Sequence, residues 1–413
     1  MDKIKVIYNV NLIANIKYAH CARTGIFFAA ACLLKELARR DDIELVLYYE
    51  TDNDKLAIKN LKYWCEFLPK CIVKKSLSQK VIIKTVIKKI IGQKCTSLLK
   101  KFLARRIKAS KNISVVHSTE KAFYLAPAYE FCNDFMKDAN ICKFSIAHDV
   151  MPLVFPQYYP DSQEGWLESF KMFDNYFANS AYTKADFLKY LPHLKPENII
   201  VTPLACDERF KPANADEIAK ARKKYNIPEN KKYIFSLCTL EPRKNLIRAV
   251  KCFANFISKN NIDDLVFVLG GSHWDAFIGK LENEISNLNE LKSKILKIGY
   301  VDDSDQAALY SGALFFVYTS QYEGFGLPPL EAMSCGTPVI TSNNSSLPEV
   351  VGNAGIMIDY DDDEAHIKAY ESYYYNENLR QENSKKGLER AKLFSWEKCA
   401  DIMITEMKRR AGL

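Results

Sequence analysis

Short apolar runs typical of buried strands alternate along the chain with longer segments whose apolar residues recur at helical spacing. In the first half this pattern predicts strands at Lys5–Val10, Ile43–Tyr49, Ile113–His117, Cys142–Ala147 and Asn198–Thr202, with helices at Ile26–Arg40 and Ala181–Tyr190. In the second half it predicts strands at Lys232–Leu237, Leu265–Leu269, Lys294–Ile298, Ala313–Tyr318 and Thr337–Thr341, with a helix at Leu246–Ser258. Such alternation indicates an α/β chain of parallel sheets joined by crossover helices.

The alternation restarts after the segment 203–230, and 413 residues are enough for two domains that each bury a core. We therefore predict an N-terminal Rossmann-like domain over residues 1–205 and a second Rossmann-like domain over 206–390. A C-terminal helix is predicted over residues 391–413, with its amphipathic part at Phe394–Lys408 and Ser395 as a suitable N-cap.

Two glutamates, Glu323 and Glu331, flank a turn rich in Gly and Pro that follows one of these apolar runs. Pro328 and Pro329 suit the first turn of a helix, where a missing N–H costs nothing. Glu323 is thus expected in a loop at the carboxyl end of a strand and Glu331 in the first helical turns, where open α/β sheets bind ligands. Carboxylates accept hydrogen bonds from hydroxyls, and a helix N-terminus attracts anions. Hydroxyls and phosphate on one ligand suggest a nucleotide sugar.

A second phosphate-binding candidate is the segment TLEPRKN at 239–245, which follows a predicted strand and opens a helix. Arg243 and Lys244 project there as paired cations, and such a pair suits a diphosphate because Arg bridges oxygens while Lys acts as a mobile point charge. The simpler interpretation is a pair of solvated charges at a helix end. The sequence has no GxGxxG, which argues against a standard dinucleotide site.

His148 ends a predicted strand and is followed by Asp149. A lone His is more often structural than catalytic, so both interpretations stay open at this point. The remaining histidines show no metal-ligand spacing, and we predict neither a metal nor a cofactor. Twelve scattered cysteines without a CxxC pair, and no secretory signal or long apolar run, favour a cytoplasmic protein with reduced thiols.

Charge is distributed unevenly along the chain. Residues 70–111 hold fourteen Lys and Arg and no Asp or Glu, while the whole chain carries +8, so the rest sums to 8 − 14 = −6. Apolar residues recur at helical spacing in this basic block, which predicts one or two amphipathic helices. An anionic membrane surface is the favoured partner, at about 1 kcal/mol per nearby Lys or Arg. A solvated domain face is the alternative; nucleic acid is not favoured because aromatic residues and a recognisable module are missing.

Several segments resemble the retaining nucleotide-sugar transferases of glycosyltransferase family 4, which have two facing Rossmann-like domains (the GT-B fold). The resemblance spans most of the chain outside the basic block. It rests on RTGI at 23–26, HDVMPLVFPQYY at 148–159, NSAYT at 179–183, PLACDERFKP at 203–212, EPRKN at 241–245, EGFGLPPLEAMSCGTPVI at 323–340 and SNNSSLPEVVGNAG at 342–355. It implies a C-terminal helix that crosses back to the N-domain.

The resemblance also implies residue roles. Glu323 would bind hydroxyls of the donor sugar, Glu331 the ribose, and Arg243 with Lys244 the diphosphate. His148 would contact the transferred sugar or the acceptor. Donor binding would further involve backbone groups of a second set of residues, namely Gly25 in the N-domain and Phe325, Gly326 and Leu327 in the glutamate loop.

The resemblance, most of all that of HDVMPLVFP and SNNSSLPEV to bacterial surface-polysaccharide transferases, implies a metal-independent, retaining hexosyltransferase. Together with the basic block, it suggests a position on the inner face of the cytoplasmic membrane. GDP-mannose is the favoured donor, with rhamnose or glucose as other sugars, and a lipid-linked saccharide is the expected acceptor. Two alternatives remain from the sequence. One is a phosphorylase or epimerase on the same double-Rossmann plan, and the other is a catalytically inactive homologue that binds a sugar nucleotide or acts as a scaffold.

Overall fold

A computed structural model describes residues 3–14, 25–50, 54–64, 71–75, 122–128, 138, 140–159 and 163–413. Its strands are β1 (Ile4–Asn9), β2 (Ile43–Glu50), β3 (Cys71–Lys75), β4 (Ala122–Ala126), β5 (Ile141–Ala147), β6 (Asn175–Ala178), β7 (Ile199–Val201), β8 (Lys232–Leu237), β9 (Leu265–Gly270), β10 (Ile295–Gly299), β11 (Phe316–Tyr318), β12 (Val339–Ser342) and β13 (Gly355–Ile358). They form one sheet in the order β3-β2-β1-β4-β5-β6-β7 and another in the order β10-β9-β8-β11-β12-β13.

Helices connect these strands. Their bounds are Asn11–Ala14, Gly25–Arg39, Asp54–Trp64, Met151–Val154, Gln163–Phe170, Ala181–Tyr190, Ala215–Lys224, Leu246–Lys259, Asp275–Ser286, Gln306–Ser311, Leu327–Ser334, Leu347–Val351, Asp363–Tyr375, Glu377–Ala391 and Trp396–Ala411. Short 3-10 helices add Pro156–Tyr158, Pro196–Asn198, Pro242–Lys244 and Asn289–Lys294. The predicted alternation of strands and helices is confirmed.

The central strands of each sheet are parallel and largely buried. In the first, β1 pairs in parallel with β2 and β4, and every residue of β1 is buried. In the second, β8 pairs in parallel with β9 and β11. Because parallel strands covered on both faces need continuous apolar sequence, their Val-, Ile- and Phe-rich runs were the most visible signals in the sequence.

The basic block begins with a strand that the sequence analysis did not predict. Cys71–Lys75 forms β3, which pairs in parallel with β2. The adjacent β-branched Ile72 and Val73 favour a strand there. The helices predicted over the rest of the block, and the strand predicted at Ile113–His117, lie outside the described residues.

Three further strands, β4, β6 and β13, were not predicted. Their sequences are short, AFYLA, NYFA and GIMI, and apolar runs of that length also fit buried helical turns. Neighbouring strands, which the sequence does not reveal, decide between the two.

The described chain groups into two compact units. One contains Met1–Ile146, Glu164–Phe177 and Ala400–Leu413, and the other contains Ala147–Gln163 and Ala178–Cys399. These are groups of contacting residues, and the domain boundary at residue 205 stays a prediction.

The end of the C-terminal helix Trp396–Ala411 belongs to the first unit, as predicted. Arg40 Nη1 donates to Asp401 Oδ1 at 2.6 Å, and Lys408 Nζ lies 2.7 Å from Asp42 Oδ2. At the other end, Ser395 Oγ accepts a hydrogen bond from the Lys398 N–H at 3.2 Å, as expected of an N-cap.

Candidate active site

Arg243, Lys244 and Glu323 form a buried ion cluster at the carboxyl ends of the neighbouring strands β8 and β11. Glu323 Oε1 accepts from Lys244 Nζ at 2.6 Å and from Arg243 Nη1 at 2.7 Å. The second guanidinium nitrogen of Arg243 pairs with Glu241. The structure therefore brings together three residues that the sequence placed at two separate strand ends.

Local backbone geometry holds the two cations in place. Pro242 begins the short 3-10 helix Pro242–Lys244. The next residue, Asn245, caps this helix and has a left-handed backbone conformation with φ of 59°. The carbonyl of Arg243 accepts from the Gln321 N–H at 2.8 Å, which ties this turn to the loop after β11. The turn and the loop therefore place both cations beside Glu323.

The ion pairs set the charge state of Glu323. Burial alone would raise the pKa of its carboxyl, but Arg243 and Lys244 favour the ionised form more strongly and lower the pKa to about 2. Burial likewise acts to lower the pKa of Arg243, and Glu323 with Glu241 more than reverses that effect. The cluster thus brings two basic and two acidic side chains together in a buried arrangement.

Tyr318, the last residue of β11, completes this cluster. Its hydroxyl accepts from Lys244 Nζ at 2.6 Å, and burial raises the pKa of the phenol well above its ordinary value. Sequence analysis missed Tyr318 because it lies inside an apolar run that predicts a strand. Glu241 was also missed, since only the cations of its motif were considered.

Glu323, Phe325 and Gly326 belong to a loop, residues 322–326, that we call the sugar loop. Ser346 Oγ donates to Glu323 O at 2.9 Å and to Phe325 O at 2.7 Å, and the Glu323 N–H donates to Ser345 Oγ at 3.0 Å. Gly326 has φ of 117° and precedes the helix that begins at Leu327. Loop geometry therefore requires Gly326, and the ligand-binding roles of these backbone groups stay predictions.

His148 follows β5 and its backbone packs against the sugar loop. A Cβ added to Gly324 would lie 1.7 Å from the His148 carbonyl oxygen, so only glycine permits this approach. Ser180 Oγ and Thr183 Oγ1 both donate to Gly324 O, at 2.7 and 3.0 Å. Asn179 Nδ2 donates to His148 O at 2.9 Å. The motif NSAYT thus joins the His148 segment to the loop that carries Glu323.

Glu331 lies in the helix Leu327–Ser334 and has a different environment from Glu323. Tyr310 donates a hydrogen bond to its Oε2 at 2.9 Å. Burial raises the pKa of Glu331 to about 7, although Tyr310 and Arg209 act in the opposite direction. The two glutamates of this motif therefore differ in charge, since Glu323 is ionised and Glu331 titrates near neutral pH.

Gly25 belongs to the first compact unit, where it is exposed at the start of the helix Gly25–Arg39. Its predicted contact with a donor stays a prediction. Within the described part of the chain, no group of three or more His, Cys, Asp or Glu is arranged to hold a metal ion. The same residues include no helix with the length and apolar character needed to cross a membrane.

Comparison with known proteins links this geometry to a family. The model of "Glycosyl transferases group 1" matches residues 217–390, which include the ion cluster and Glu331. The O-antigen chain mannosyltransferase B of Escherichia coli is 32% identical over 268 residues, covering 63% of this chain and 68% of that protein. The serotype-specific mannosyltransferase WbdA of E. coli is 28% identical over 64% of this chain, which spans only 33% of WbdA.

Solved structures agree on the fold. Anabaena HepE in complex with UDP and glucose aligns over 99% of this chain and 100% of its own, with a TM-score of 0.67 at 14% identity. WaaG, a glycosyltransferase involved in lipopolysaccharide biosynthesis, aligns over 97% of this chain and 99% of its own, with a TM-score of 0.65 at 12% identity. With two parallel α/β sheets and these relatives, the chain has the predicted GT-B fold and belongs to the glycosyl transferases group 1 family.

Proposed function

We propose that this glycosyltransferase moves a hexose, with mannose favoured, from a nucleoside-diphosphate sugar to a growing saccharide in bacterial surface-polysaccharide synthesis. The observation that carries the proposal is the buried cluster of Arg243, Lys244 and Glu323. It combines two cations suited to a diphosphate with a carboxylate suited to sugar hydroxyls, at the edge of a parallel sheet where α/β folds bind ligands.

The relatives support mannose as the transferred sugar, and we propose GDP-mannose as its donor. O-antigen chain mannosyltransferase B and WbdA of E. coli are both described as mannosyltransferases, as is RfbU of Salmonella typhimurium at 26% identity. HepE was solved with UDP and glucose, which supports a nucleotide sugar as the donor class. Rhamnose or glucose remain the other candidate sugars.

In the proposed reaction Arg243 and Lys244 stabilise the negative charge that builds on the leaving diphosphate. They already sit in a buried, ordered cluster, so little reorganisation is needed as the charge develops. Glu323 binds hydroxyls of the transferred sugar. The N–H groups at the start of the helix Leu327–Ser334 add a positive dipole end for phosphate. These groups act without a metal ion.

We further propose that the reaction retains the configuration at the sugar carbon. The acceptor hydroxyl would attack from the face that the diphosphate leaves, and the leaving phosphate would take the acceptor proton. His148, whose backbone is fixed against the sugar loop at Gly324, would orient the transferred sugar or the acceptor. The anomeric configuration of the product, measured by NMR before it equilibrates, tests retention directly.

A lipid-linked saccharide is the proposed acceptor, on the inner face of the cytoplasmic membrane. Support comes from the fourteen Lys and Arg without an acidic residue in the block 70–111, because anionic lipid attracts such a segment. The lipopolysaccharide and O-antigen functions named for WaaG and for the E. coli mannosyltransferase B agree with this assignment.

The test begins with GDP-mannose, UDP-glucose and dTDP-rhamnose in a thermal-shift panel. A ligand at 100 times its Kd stabilises the folded protein by about 2.7 kcal/mol, so the donor should give the largest shift. Sugar transfer or donor hydrolysis is then measured for the wild type, for Lys244→Met and for the control Lys251→Met. Lys251 is an exposed lysine of the helix Leu246–Lys259 that pairs with Glu284 at 2.8 Å.

We expect Lys244→Met to lower kcat by roughly 10²–10³-fold, the size expected for one lost transition-state partner, and Lys251→Met to keep wild-type turnover. Binding without any transfer or hydrolysis by the wild type would identify an inactive sugar-nucleotide-binding homologue instead. Wild-type turnover in a well-folded Lys244→Met variant would refute the role of the cluster.

A further inference from the structure

Tyr310 makes a contact that the proposed reaction does not yet use. It lies in the helix Gln306–Ser311, is fully buried, and donates to Glu331 Oε2 at 2.9 Å. Glu331 itself is only partly buried. The hydrogen bond therefore joins a residue of the core to a half-buried glutamate.

The ring of Tyr310 has little freedom to move. It makes edge-to-face contacts with Phe210, Phe235 and Phe316, with ring centroids 5.1 to 6.0 Å apart. Its carbonyl accepts from Thr337 Oγ1 at 2.7 Å. Packing on the ring and a hydrogen bond on the backbone together fix the direction of the hydroxyl.

We propose that Tyr310 is a positioning residue, which holds one oxygen of Glu331 so that the carboxylate is oriented to accept hydrogen bonds from the ribose of the donor. This inference rests on the proposed function, in which Glu331 binds the ribose. A carboxylate on a helix rotates about several bonds, and a fixed partner on one oxygen reduces that freedom before the ligand arrives.

The same contact also affects the pKa of Glu331. Burial raises its pKa to about 7, while the hydrogen bond from Tyr310 and the positive charge of Arg209 favour ionisation; Asp207 and Asp303 oppose it. Cys206 and Cys335 are the other titratable groups close to this carboxylate, and both thiols have raised pKa values and stay neutral. The ionised carboxylate accepts hydrogen bonds strongly at both oxygens, whereas protonation turns one oxygen into a donor, so ribose binding should depend on pH in the neutral range.

A buried tyrosine hydroxyl usually has a hydrogen-bond partner. The test must therefore show that the hydrogen bond orients Glu331 and does not merely satisfy the buried hydroxyl of Tyr310. Tyr233 offers a matched control. It is fully buried too, and its hydroxyl donates to the carbonyl of Leu309 in the same helix at 2.7 Å. Tyr310→Phe and Tyr233→Phe each remove one buried hydroxyl and keep the ring.

The experiment measures KM and kcat for GDP-mannose, with UDP-glucose in parallel, between pH 5.5 and about 9. Both phosphates of these donors are esterified, so their own charge is constant in this range. Removing a hydrogen bond to a charged group should raise the pKa of Glu331 by about one unit. Tyr310→Phe should therefore raise KM about fivefold near pH 7 and about tenfold near pH 5.5, with a smaller rise at high pH from the lost orientation alone and with kcat at saturation unchanged.

Tyr233→Phe should keep the wild-type dependence of KM on pH. With a 2′-deoxy donor, the KM of the wild type should depend less on pH, because one ribose hydroxyl that would bind Glu331 is missing. A Tyr310→Phe profile that matches wild type would overturn the inference, as would equal profiles for the two Phe variants. If the wild type bound neither donor, the proposed function itself would fail. Donor binding with an unchanged Tyr310→Phe profile would refute this inference alone.

Discussion

Replacement of Gly324 by Ala should disable the enzyme without unfolding it. An added Cβ would lie 1.7 Å from the carbonyl oxygen of His148, 2.8 Å from its carbonyl carbon and 3.0 Å from the Cβ of Asp149, whereas Cβ contacts shorter than 3.0 Å essentially do not occur. Two of these three neighbours are backbone atoms, which cannot rotate out of the way. The sugar loop and the His148 segment would have to separate by more than about 1 Å, a displacement that can cost 10²-fold in rate.

The separation would also strain the hydrogen bonds from Ser180 and Thr183 to the Gly324 carbonyl. Overpacking of this kind costs about 1–3 kcal/mol of stability, which a two-domain protein can tolerate. We therefore expect a folded Gly324→Ala variant with kcat lowered roughly 10²-fold. The assay is sugar transfer from GDP-mannose at saturating donor, with the unfolding midpoint measured on the same preparation.

Gly279→Ala provides the control, because no atom lies within 4 Å of an added Cβ in the helix Asp275–Ser286. That change should leave kcat at the wild-type level and stabilise the helix by up to about 1 kcal/mol. Wild-type kcat in Gly324→Ala would refute the reasoning, since it would show that the spacing of His148 and Glu323 does not matter for turnover.

Three further predictions concern charge. The pKa of the Glu331 carboxyl is raised to about 7, against an ordinary 4.5, so the native state binds the proton of this carboxyl more tightly than the unfolded state does. The stability that comes from this proton is therefore present below pH 4.5 and is lost as the pH rises to 7. Glu331→Gln should then raise the free energy of unfolding at pH 8 by up to about 3 kcal/mol, and by less than that because the group is partly exposed. At pH 4 it should leave the free energy of unfolding unchanged. Equal urea midpoints for the variant and the wild type at both pH values would contradict this prediction. Glu323→Gln should destabilise the ligand-free protein by about 3–5 kcal/mol because it leaves buried cations without their full set of ion-pair partners. Adding Lys244→Met should recover part of that lost stability in a double-mutant cycle. Additive losses of stability would show that Glu323 and Lys244 are not coupled. Replacement of Lys84, Lys88, Lys100 and Lys101 by Glu should abolish binding to anionic vesicles, and retained binding in a sedimentation assay would exclude the basic block as the membrane contact.

The sequence placed Arg243, Lys244 and Glu323 at the carboxyl ends of strands because apolar runs ending in polar residues have an unambiguous direction. It did not reveal that all three meet at one carboxylate oxygen. That contact depends on β8 and β11 being neighbours in the order β10-β9-β8-β11-β12-β13. Strands nearly eighty residues apart pair here through sheet topology, which local periodicity does not encode.

Tyr310 and Tyr318 show a second reason why the site was only partly predictable. Each tyrosine lies in a run of apolar residues and contributes its ring to the core, which is all that a hydrophobic pattern detects. Their hydroxyls reach Glu331 and Lys244 because of how the helix Gln306–Ser311 and β11 are packed. β3, at the start of the basic block, was not predicted either, because the strand propensity of Ile72 and Val73 covers only two adjacent residues among many lysines.

The buried ion cluster is itself an argument for function. Burying charges costs several kcal/mol per ion, and well-packed apolar residues often stabilise such a position as well or better. Arg243, Lys244, Glu241 and Glu323 nevertheless lie together with side chains at most 11% exposed. Stability alone gives no reason to keep these four side chains together, whereas a diphosphate that needs preorganised cations and a sugar that needs an ionised carboxylate give a reason for Arg243, Lys244 and Glu323. Glu323 keeps both cations ordered before the donor arrives, so the donor can replace part of a network that already exists.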